Sequence, residues 1–188
     1  MRHVVVLAIL VAAVLVTASG SAQGGDALAS TPPAVVERPA NFKLVDAAPS
    51  VDALLDRLVD ALEKKDLEAL HRLRVTESEY RTFFLPGSVK PGQPARIYDE
   101  QSSKFYWDMM NTNSIYAAKG IMERYGGRKC HVKEKTYSKG QETYAWYEAY
   151  KNVQLRLEDE EGHEAELSLG SIANVDGQFK FISLLGRH

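Results

Sequence analysis

The spacing of the apolar residues changes near Gly126, and this change favours a fold in which helices precede a sheet. Between residues 51 and 125, apolar residues recur every three or four positions, as they do on one face of a helix. Between residues 129 and 185, they alternate with polar residues, as in strands with one buried face. The sequence therefore predicts an α+β domain with N-terminal helices packed on one antiparallel sheet.

Capping residues indicate where the first helices begin. Ser50 precedes a helix predicted over residues 51–65, and Asp66 precedes a short second helix. Thr76 and Glu79 have the spacing of a capping box, which predicts a third helical segment.

A longer helix is predicted over residues 101–125. Its apolar positions keep helical spacing, although the polar residues 111–113 leave open whether it is interrupted there. Residues 85–99 before it contain three prolines and two glycines, which predicts an irregular loop.

Four strands are expected in the C-terminal part of the domain. Their predicted ranges are residues 129–139, 142–158, 163–175 and 178–185. The dipeptide Asp176-Gly177 favours a type I′ turn, which would pair Val175 with Gln178 and Ile172 with Phe181. Lysines alternate along the first strand, as is typical of a solvated strand at a sheet edge.

The third strand carries apolar residues at both even and odd positions, which face opposite sides of a regular strand. Ile172 belongs to one set, and Leu167 and Leu169 belong to the other. Both sets reach one core only if the strand is irregular near Gly170-Ser171, where a glycine tolerates a bulge. We therefore expect one strongly curved, four-stranded sheet.

Two runs carry a resemblance to a known superfamily. They are LEKKDLEAL at residues 62–70 and NVDGQFKFI at residues 174–182, with a later helix and two long strands between them. This pattern over residues 51–185 resembles the nuclear transport factor 2-like superfamily, including its SnoaL-like branch. The resemblance implies a cone-shaped α+β fold with a pocket between the sheet and the helices. The catalytic positions of the superfamily's enzymes have no match in this chain.

The N-terminus has the pattern of a secretory signal peptide. Arg2 and His3 precede an apolar run at residues 4–16, and small residues follow up to Ala22, after which we expect cleavage. The alternative is an uncleaved membrane anchor, although the run is shorter than the ~20 residues that span a bilayer. Residues 23–48 are rich in Pro, Ala and Ser and predict a disordered linker before a domain at residues 49–188. The protein is thus expected to be periplasmic or extracellular, without membrane contact after cleavage.

Composition disfavours several classes of function. The chain has a formal net charge of −2, which provides no overall field for nucleic acid. Its single cysteine, Cys130, excludes an internal disulfide and is expected to be buried. His71, His131 and His163 lack the spacing of metal ligands. We therefore expect neither a metal nor a cofactor.

The second predicted strand carries the candidate functional residues. Tyr144, Trp146, Glu148 and Tyr150 share one face, and Tyr147 shares the other with the apolar residues. If the second face is the core face, the first presents an exposed aromatic patch for a partner. If an irregularity at Lys151-Asn152 reverses the faces, Glu148 enters the pocket, where burial would raise its pKa and suit it to general acid or base chemistry.

Two functions remain open on the sequence alone. The first is an exported domain that binds a small ligand or a protein, with a homodimer through the sheet as one form of partner. The second is a lyase or isomerase that transfers a proton through Glu148. The candidate pocket or partner residues are Tyr80, Trp107, Tyr116, Tyr144, Trp146, Tyr147 and Tyr150.

Overall fold

The computed structural model describes residues 36–185. The predicted signal peptide, its cleavage site, the alternative anchor and the first part of the predicted linker lie outside these residues. Within residues 36–185, none of the helices combines the length and the apolar character needed to cross a membrane.

The helices begin where their capping residues predict. Their bounds are α1 Val51–Glu63, α2 Leu67–Arg72, α3 Glu77–Glu79, a π-helical segment Tyr80–Phe84, α4 Leu85–Gly87 and α5 Glu100–Tyr125. Ser50 and Asp66 accept hydrogen bonds from the third residue after each of them, and Thr76 and Glu79 form the reciprocal capping box. These three helix starts are confirmed.

Helix α5 runs for 26 residues without the interruption considered at residues 111–113. Asn and Thr disfavour a helix interior by only about 0.7 kcal/mol each, so packing of the neighbouring turns outweighs them. Ser114 and Ala118 on the next turn of the helix are fully buried. The helix therefore continues through this polar stretch.

The strands form two antiparallel sheets. Their bounds are β1 Cys130–Tyr137, β2 Gln141–Thr143, β3 Glu148–Tyr150, β4 Val153–Asp159, β5 Glu164–Ser168, β6 Ile172–Val175 and β7 Gln178–Phe181. One sheet has the order β1-β4-β5 and the other β2-β3-β6-β7. The α+β class is confirmed, whereas the single, strongly curved four-stranded sheet is replaced by these two sheets.

Breaks in the predicted second and third strands account for the division. The second strand is interrupted after Tyr150, where Asn152 adopts a left-handed conformation with φ of 55°. The third is interrupted between Ser168 and Ile172, at the predicted irregular position. Because the chain turns at these points, apolar residues at even and odd positions face one core. The same buried cluster contains Leu167, Leu169, Ile172 and Phe181.

Backbone hydrogen bonds continue the strand pairing into these breaks. The Leu169 N–H group donates to the Val153 carbonyl at 2.8 Å, and the Val153 N–H group donates to the Gly170 carbonyl at 3.0 Å. The Ser138 N–H group donates to the carbonyl of Asn152 at 3.1 Å. Neighbouring strands therefore remain paired where the ladders of the two sheets end.

The last hairpin has the predicted register. Val175 pairs with Gln178, and Ile172 pairs with Phe181. Asp176 and Gly177 have φ angles of 50° and 81°, as a type I′ turn requires at both central positions. This prediction is confirmed.

Two hydrophobic clusters fill the domain. The first joins α1, α2 and α5 to both sheets and includes the fully buried Leu58, Leu62 and Leu70. The second joins the π-helical segment to the β2-β3-β6-β7 sheet and includes Phe83 and Trp146. This sheet is thus packed on both faces.

Residues 36–48, which the sequence predicts to be linker, pack against the domain. Phe42 stacks on Phe83 with ring centroids 4.0 Å apart. Leu44 and Ala48 are buried, and Ala48 exchanges two backbone hydrogen bonds with Phe179. The packed domain therefore begins before the predicted boundary at residue 49, because Phe42, Leu44 and Ala48 pack their apolar side chains against it.

Strand β1 lies at an edge of its sheet, as its lysines predict. Lys133 forms ion pairs with Glu158 and Glu164, and Arg156 of β4 forms ion pairs with Glu134 and Glu164. The charges along this face are mutually compensated. They therefore fit a solvated edge better than a surface for anions.

Candidate functional site

A cavity of about 490 Å³ lies between the helices and the strand breaks. The π-helical segment contributes Tyr80 and Phe84 to its wall, and α5 contributes Met109 and Met110. Phe84 is fully buried, whereas Met109 is 51% exposed, so the cavity opens to solvent beside α5. A space of this size is typical of small-molecule sites.

The π-helical segment explains how Tyr80 reaches the cavity. The Leu85 N–H group donates to the carbonyl of Tyr80, which adds one residue to the ordinary helical turn. Such π-helical turns are rare and occur frequently at functional sites. Tyr80 also packs on Trp107, with ring centroids 5.7 Å apart, and this contact limits its rotation.

The hairpin between β2 and β3 supplies the aromatic wall. The Tyr144 N–H group donates to the carbonyl of Tyr147 at 2.8 Å, which closes a four-residue turn inside the predicted second strand. The two rings stack with centroids 4.8 Å apart, and Tyr147 meets Phe84 edge-on at 4.9 Å. Both tyrosines and Ala149 of β3 line the cavity.

The strand breaks and the C-terminal residues complete the wall. Lys139, Lys151 and Ser171 line the cavity from the sheet side, and Ile182 and Ser183 line it after β7. A Cβ atom at Gly170 would lie 2.3 Å from the carbonyl oxygen of Ser183. Glycine at this break is therefore what allows the C-terminal segment to approach the sheet.

The hydroxyl groups of Tyr80 and Tyr147 have no hydrogen-bond partner in residues 36–185. Within residues 36–185, only His71 and Arg74 have side-chain polar atoms that are buried from solvent and lack a hydrogen-bond partner. The two hydroxyls are therefore accessible, and the space beside them is the cavity. Tyr147 is nonetheless 9% exposed, and burial raises its pKa far above that of a free phenol. It remains a neutral donor.

An ion pair lies at the wall near Tyr144. The Lys151 ammonium group lies 2.5 Å from Oε2 of Glu142, and the Tyr144 hydroxyl donates to the same oxygen at 2.8 Å. The hydrogen bond from Lys151, followed by that from Tyr144, holds the pKa of Glu142 below its usual value. Burial, followed by the bond to Glu142, raises the pKa of Tyr144. Lys151 is thus charged and positioned at neutral pH.

Only three of the aromatic candidates line this cavity. They are Tyr80, Tyr144 and Tyr147. Trp107 and Trp146 are buried in the second cluster, and Tyr150 is half-buried against the first. Tyr116 is 69% exposed on α5 and does not line the cavity.

The expected aromatic patch on the second strand does not form. Trp146 is in the hairpin turn, packs against Phe83 and covers Gly87, so it is only 6% exposed. Tyr144 turns toward the cavity, and Tyr150 packs on Tyr137 with centroids 5.0 Å apart. The alternation that predicted the patch ends where the chain turns.

Glu148 is half-buried and does not line the cavity. It precedes Ala149, which does, and neighbouring residues of a strand point to opposite faces. Its Oε2 atom accepts a hydrogen bond from the Asn174 side chain at 3.0 Å, across the β3–β6 pair. The condition on which its role as a general base depends, a position inside the pocket, is not met.

Several cavity residues were missed in the sequence. Lys139 belongs to the predicted solvated edge strand, and Met109 and Met110 belong to the long helix predicted over residues 101–125. Ser171 belongs to the predicted irregular position at Gly170-Ser171, whereas Ile182 carries no local signal, because it meets the cavity only through the packing of distant segments. The irregularities considered at Lys151-Asn152 and at Gly170-Ser171 both coincide with this wall.

A second group of polar residues lies on the β4–β5 turn. Asp159, Glu161 and His163 bring one potential metal-ligand atom each within 4.8 Å of one another. Oδ1 of Asp159 accepts hydrogen bonds from the backbone N–H groups of Glu161 and His163, and this turn geometry accounts for the grouping. Glu161 and His163 are exposed.

Cys130, which the sequence predicts to be buried, is half-buried and pairs with Asp159 in the β1–β4 ladder. Burial raises the pKa of its thiol, which disfavours the reactive thiolate at neutral pH.

Comparison with known proteins gives no match to a family model, to a curated protein or to a solved structure.

Proposed function

We propose that this chain is an exported binding domain of the nuclear transport factor 2-like class, and that its cavity holds a small, largely apolar molecule. The observation that carries the proposal is the hydroxyl of Tyr147, which lines the cavity on a buried side chain and has no partner in residues 36–185. The hydroxyl is accessible, so water can bond to it, and exchanging that bond for one to a ligand oxygen contributes about 0.5–1.5 kcal/mol. A ligand oxygen that accepts this hydrogen bond is also held in a defined orientation.

Support for the class comes from the order of the elements and from the strand breaks. Helices α1 to α5 precede all strands, and backbone hydrogen bonds at Val153 and Asn152 continue the strand pairing beyond the ends of the ladders. The cavity lies between these breaks and α5, where the superfamily's cone would have its pocket. Support for export comes from the apolar run at residues 4–16.

The cavity wall favours binding over catalysis. In the described part of the chain, its lining residues include no Asp, Glu or His. Burial raises the pKa values of Tyr80, Tyr144 and Tyr147, and none of these phenols is a base at neutral pH. Proton transfer needs a group whose pKa lies near the working pH. A lyase or isomerase is therefore the weaker candidate, because Glu148, the base considered for it, does not line the cavity.

Protein binding has less support than ligand binding. The homodimer through the sheet would use a face of β1, β4 and β5 on which Lys133 and Arg156 form ion pairs with acidic residues. Such a face offers little apolar area, whereas stable homodimer interfaces are apolar at their centre.

Binding of 2-naphthol, an apolar body with one hydroxyl oxygen, tests the proposal. We expect Met109→Trp to fill the mouth of the cavity and weaken binding by about tenfold or more, because a bulky ring would occupy the ligand's place. Tyr116→Trp is the matched control, since it changes an exposed residue of the same helix outside the cavity. Dissociation constants are measured by titration followed in two-dimensional NMR spectra.

Removing the unpartnered hydroxyl tests its role directly. Tyr147→Phe should weaken 2-naphthol binding by about two- to tenfold, the worth of one hydrogen bond, and leave the stability of the protein nearly unchanged. If 2-naphthol fails to shift resonances of cavity residues, or if Met109→Trp binds it as the unmodified chain does, the cavity is not the binding site.

A further inference from the structure

The charges around the cavity are of one sign. Lys139 and Lys151 line it, and the described lining residues include no carboxylate. The two lysines lie on adjacent segments, since the Lys139 N–H group donates to the Lys151 carbonyl at 3.3 Å. Two ammonium groups are therefore placed beside the strand break that forms one wall.

Only one of these two charges is compensated. Lys151 pairs with Glu142, which lies outside the cavity wall and also accepts the Tyr144 hydroxyl. The Lys139 ammonium group has no ion-pair or hydrogen-bond partner within residues 36–185. The wall together with Glu142 thus carries a formal net charge of about +1, in a domain whose chain has a formal charge of −2.

The remainder of the wall is largely apolar. Phe84, Met110 and Ile182 face the cavity together with the tyrosine rings. Lys139 is exposed and the Lys151 side chain is 34% exposed, so both ammonium groups lie at the rim of the cavity, within reach of an anionic group whose apolar body occupies the space between the rings. The combination selects for molecules that are apolar and carry one negative group.

We propose that the ligand of this cavity is an organic monocarboxylate, with its apolar body against Phe84 and Met110 and its carboxylate paired with Lys139 and Lys151. This inference rests on the proposed function, because it names the class of molecule that the same cavity binds. Charge-assisted hydrogen bonds to an ammonium are about twice as strong as neutral ones. The lysines therefore determine which apolar molecules bind well.

Three probes of matched shape test the inference. They are naphthalene-2-carboxylate, the neutral 2-naphthamide and the cationic 2-naphthylmethylamine. At about pH 7.5 and low salt, we expect the carboxylate to bind about tenfold more tightly than the amide, and the amine to bind most weakly. Raising NaCl from about 50 mM to about 500 mM should weaken the carboxylate alone. Isothermal titration calorimetry on the cleaved, exported chain gives the dissociation constants.

Substitution of the uncompensated lysine identifies the group responsible. Lys139→Gln should bring the affinity for naphthalene-2-carboxylate close to that for 2-naphthamide and leave the amide's own affinity unchanged. Lys133→Gln is the control, because it removes a lysine of strand β1 that does not line the cavity. A preference for the carboxylate that survives Lys139→Gln would overturn the assignment.

The outcomes separate this inference from the proposed function. Equal binding of the amide and the carboxylate, with both lost in Met109→Trp, would refute the carboxylate and leave a binding cavity. Tightest binding of the amine would refute it in the same way. Absence of binding by all three probes at millimolar concentration would refute both proposals.

Discussion

The ammonium group of Lys180 lies 3.1 Å from Oε2 of Glu79, and the two side chains are only 2% and 5% exposed. Glu79 also accepts hydrogen bonds from the backbone N–H groups of Val45 and Thr76, at 2.6 Å each. One carboxylate thus connects the N-terminal segment, the start of α3 and the last strand β7. Breaking such a pair is costly, because the remaining charge stays buried.

We expect Lys180→Met to lower the free energy of unfolding by about 3–5 kcal/mol, since the Glu79 carboxylate would lose its counter-charge. Urea denaturation at neutral pH measures the change. Lys64→Met, which removes an exposed lysine paired with Asp60, should have no measurable effect. In the double variant with Glu79→Gln, the loss should be smaller than the sum of the two single losses. An unchanged midpoint for Lys180→Met would show that the pair does not stabilise the fold.

Acidification should destabilise the protein through His71. Burial, followed by the charge of Arg74, holds the pKa of His71 below its ordinary value of 6.5. Above pH 6.5 the histidine is neutral in the folded and in the unfolded protein and does not affect the free energy of unfolding. Below pH 6.5 the unfolded chain binds a proton that the folded chain does not. Stability is therefore lost as the pH falls from 6.5 toward the lower folded value.

The test compares the unmodified chain with His71→Gln, whose side chain does not titrate. Unfolding free energies between about pH 8 and pH 5 should fall more steeply for the unmodified chain. Carboxylates titrate in both proteins, so only the difference between the two curves reports on His71. Parallel curves would contradict the assigned direction.

The close approach at Gly170 predicts intolerance of even one methyl group. Gly170→Ala would place its Cβ atom 2.3 Å from the Ser183 backbone oxygen, and we expect a loss of about 1–3 kcal/mol. Gly120→Ala is the matched control: this exposed residue of α5 has no atom within 4 Å of the added Cβ. Since alanine favours helix, that variant should gain up to about 1 kcal/mol. Thermal unfolding distinguishes the two, and equal melting temperatures would refute the contact.

The packing of Phe42 determines where the domain begins. Phe42→Ala removes the ring that stacks on Phe83 at 4.0 Å, and we expect a loss of about 1–3 kcal/mol because Phe42 is half-buried. Lys43→Ala, at the exposed neighbouring position, should change little. If residues 36–48 were a disordered linker, both variants would unfold at the same urea concentration as the unmodified chain.

The amino-acid sequence by itself determined the features that depend on near neighbours. Ser50, Asp66 and the Thr76–Glu79 box fixed helix starts, because a side chain that accepts a hydrogen bond three residues ahead needs no distant partner. Asp176-Gly177 fixed the last hairpin for the same reason. The break near Gly170 was predictable because apolar residues at even and odd positions of one strand had to face the same core.

Only the tertiary structure decided which residues line the cavity. Alternation assigns faces as long as a strand is continuous, and the turn at Tyr144–Tyr147 contains none of the glycine or proline residues that usually indicate one. Trp146 is buried because Gly87, far away in sequence, leaves room for its ring. Lys139 and Met109 meet at one cavity because the strand breaks turn the sheet toward α5. Contacts between distant segments depend on how all the helices and strands pack together, and no local sequence pattern predicts them.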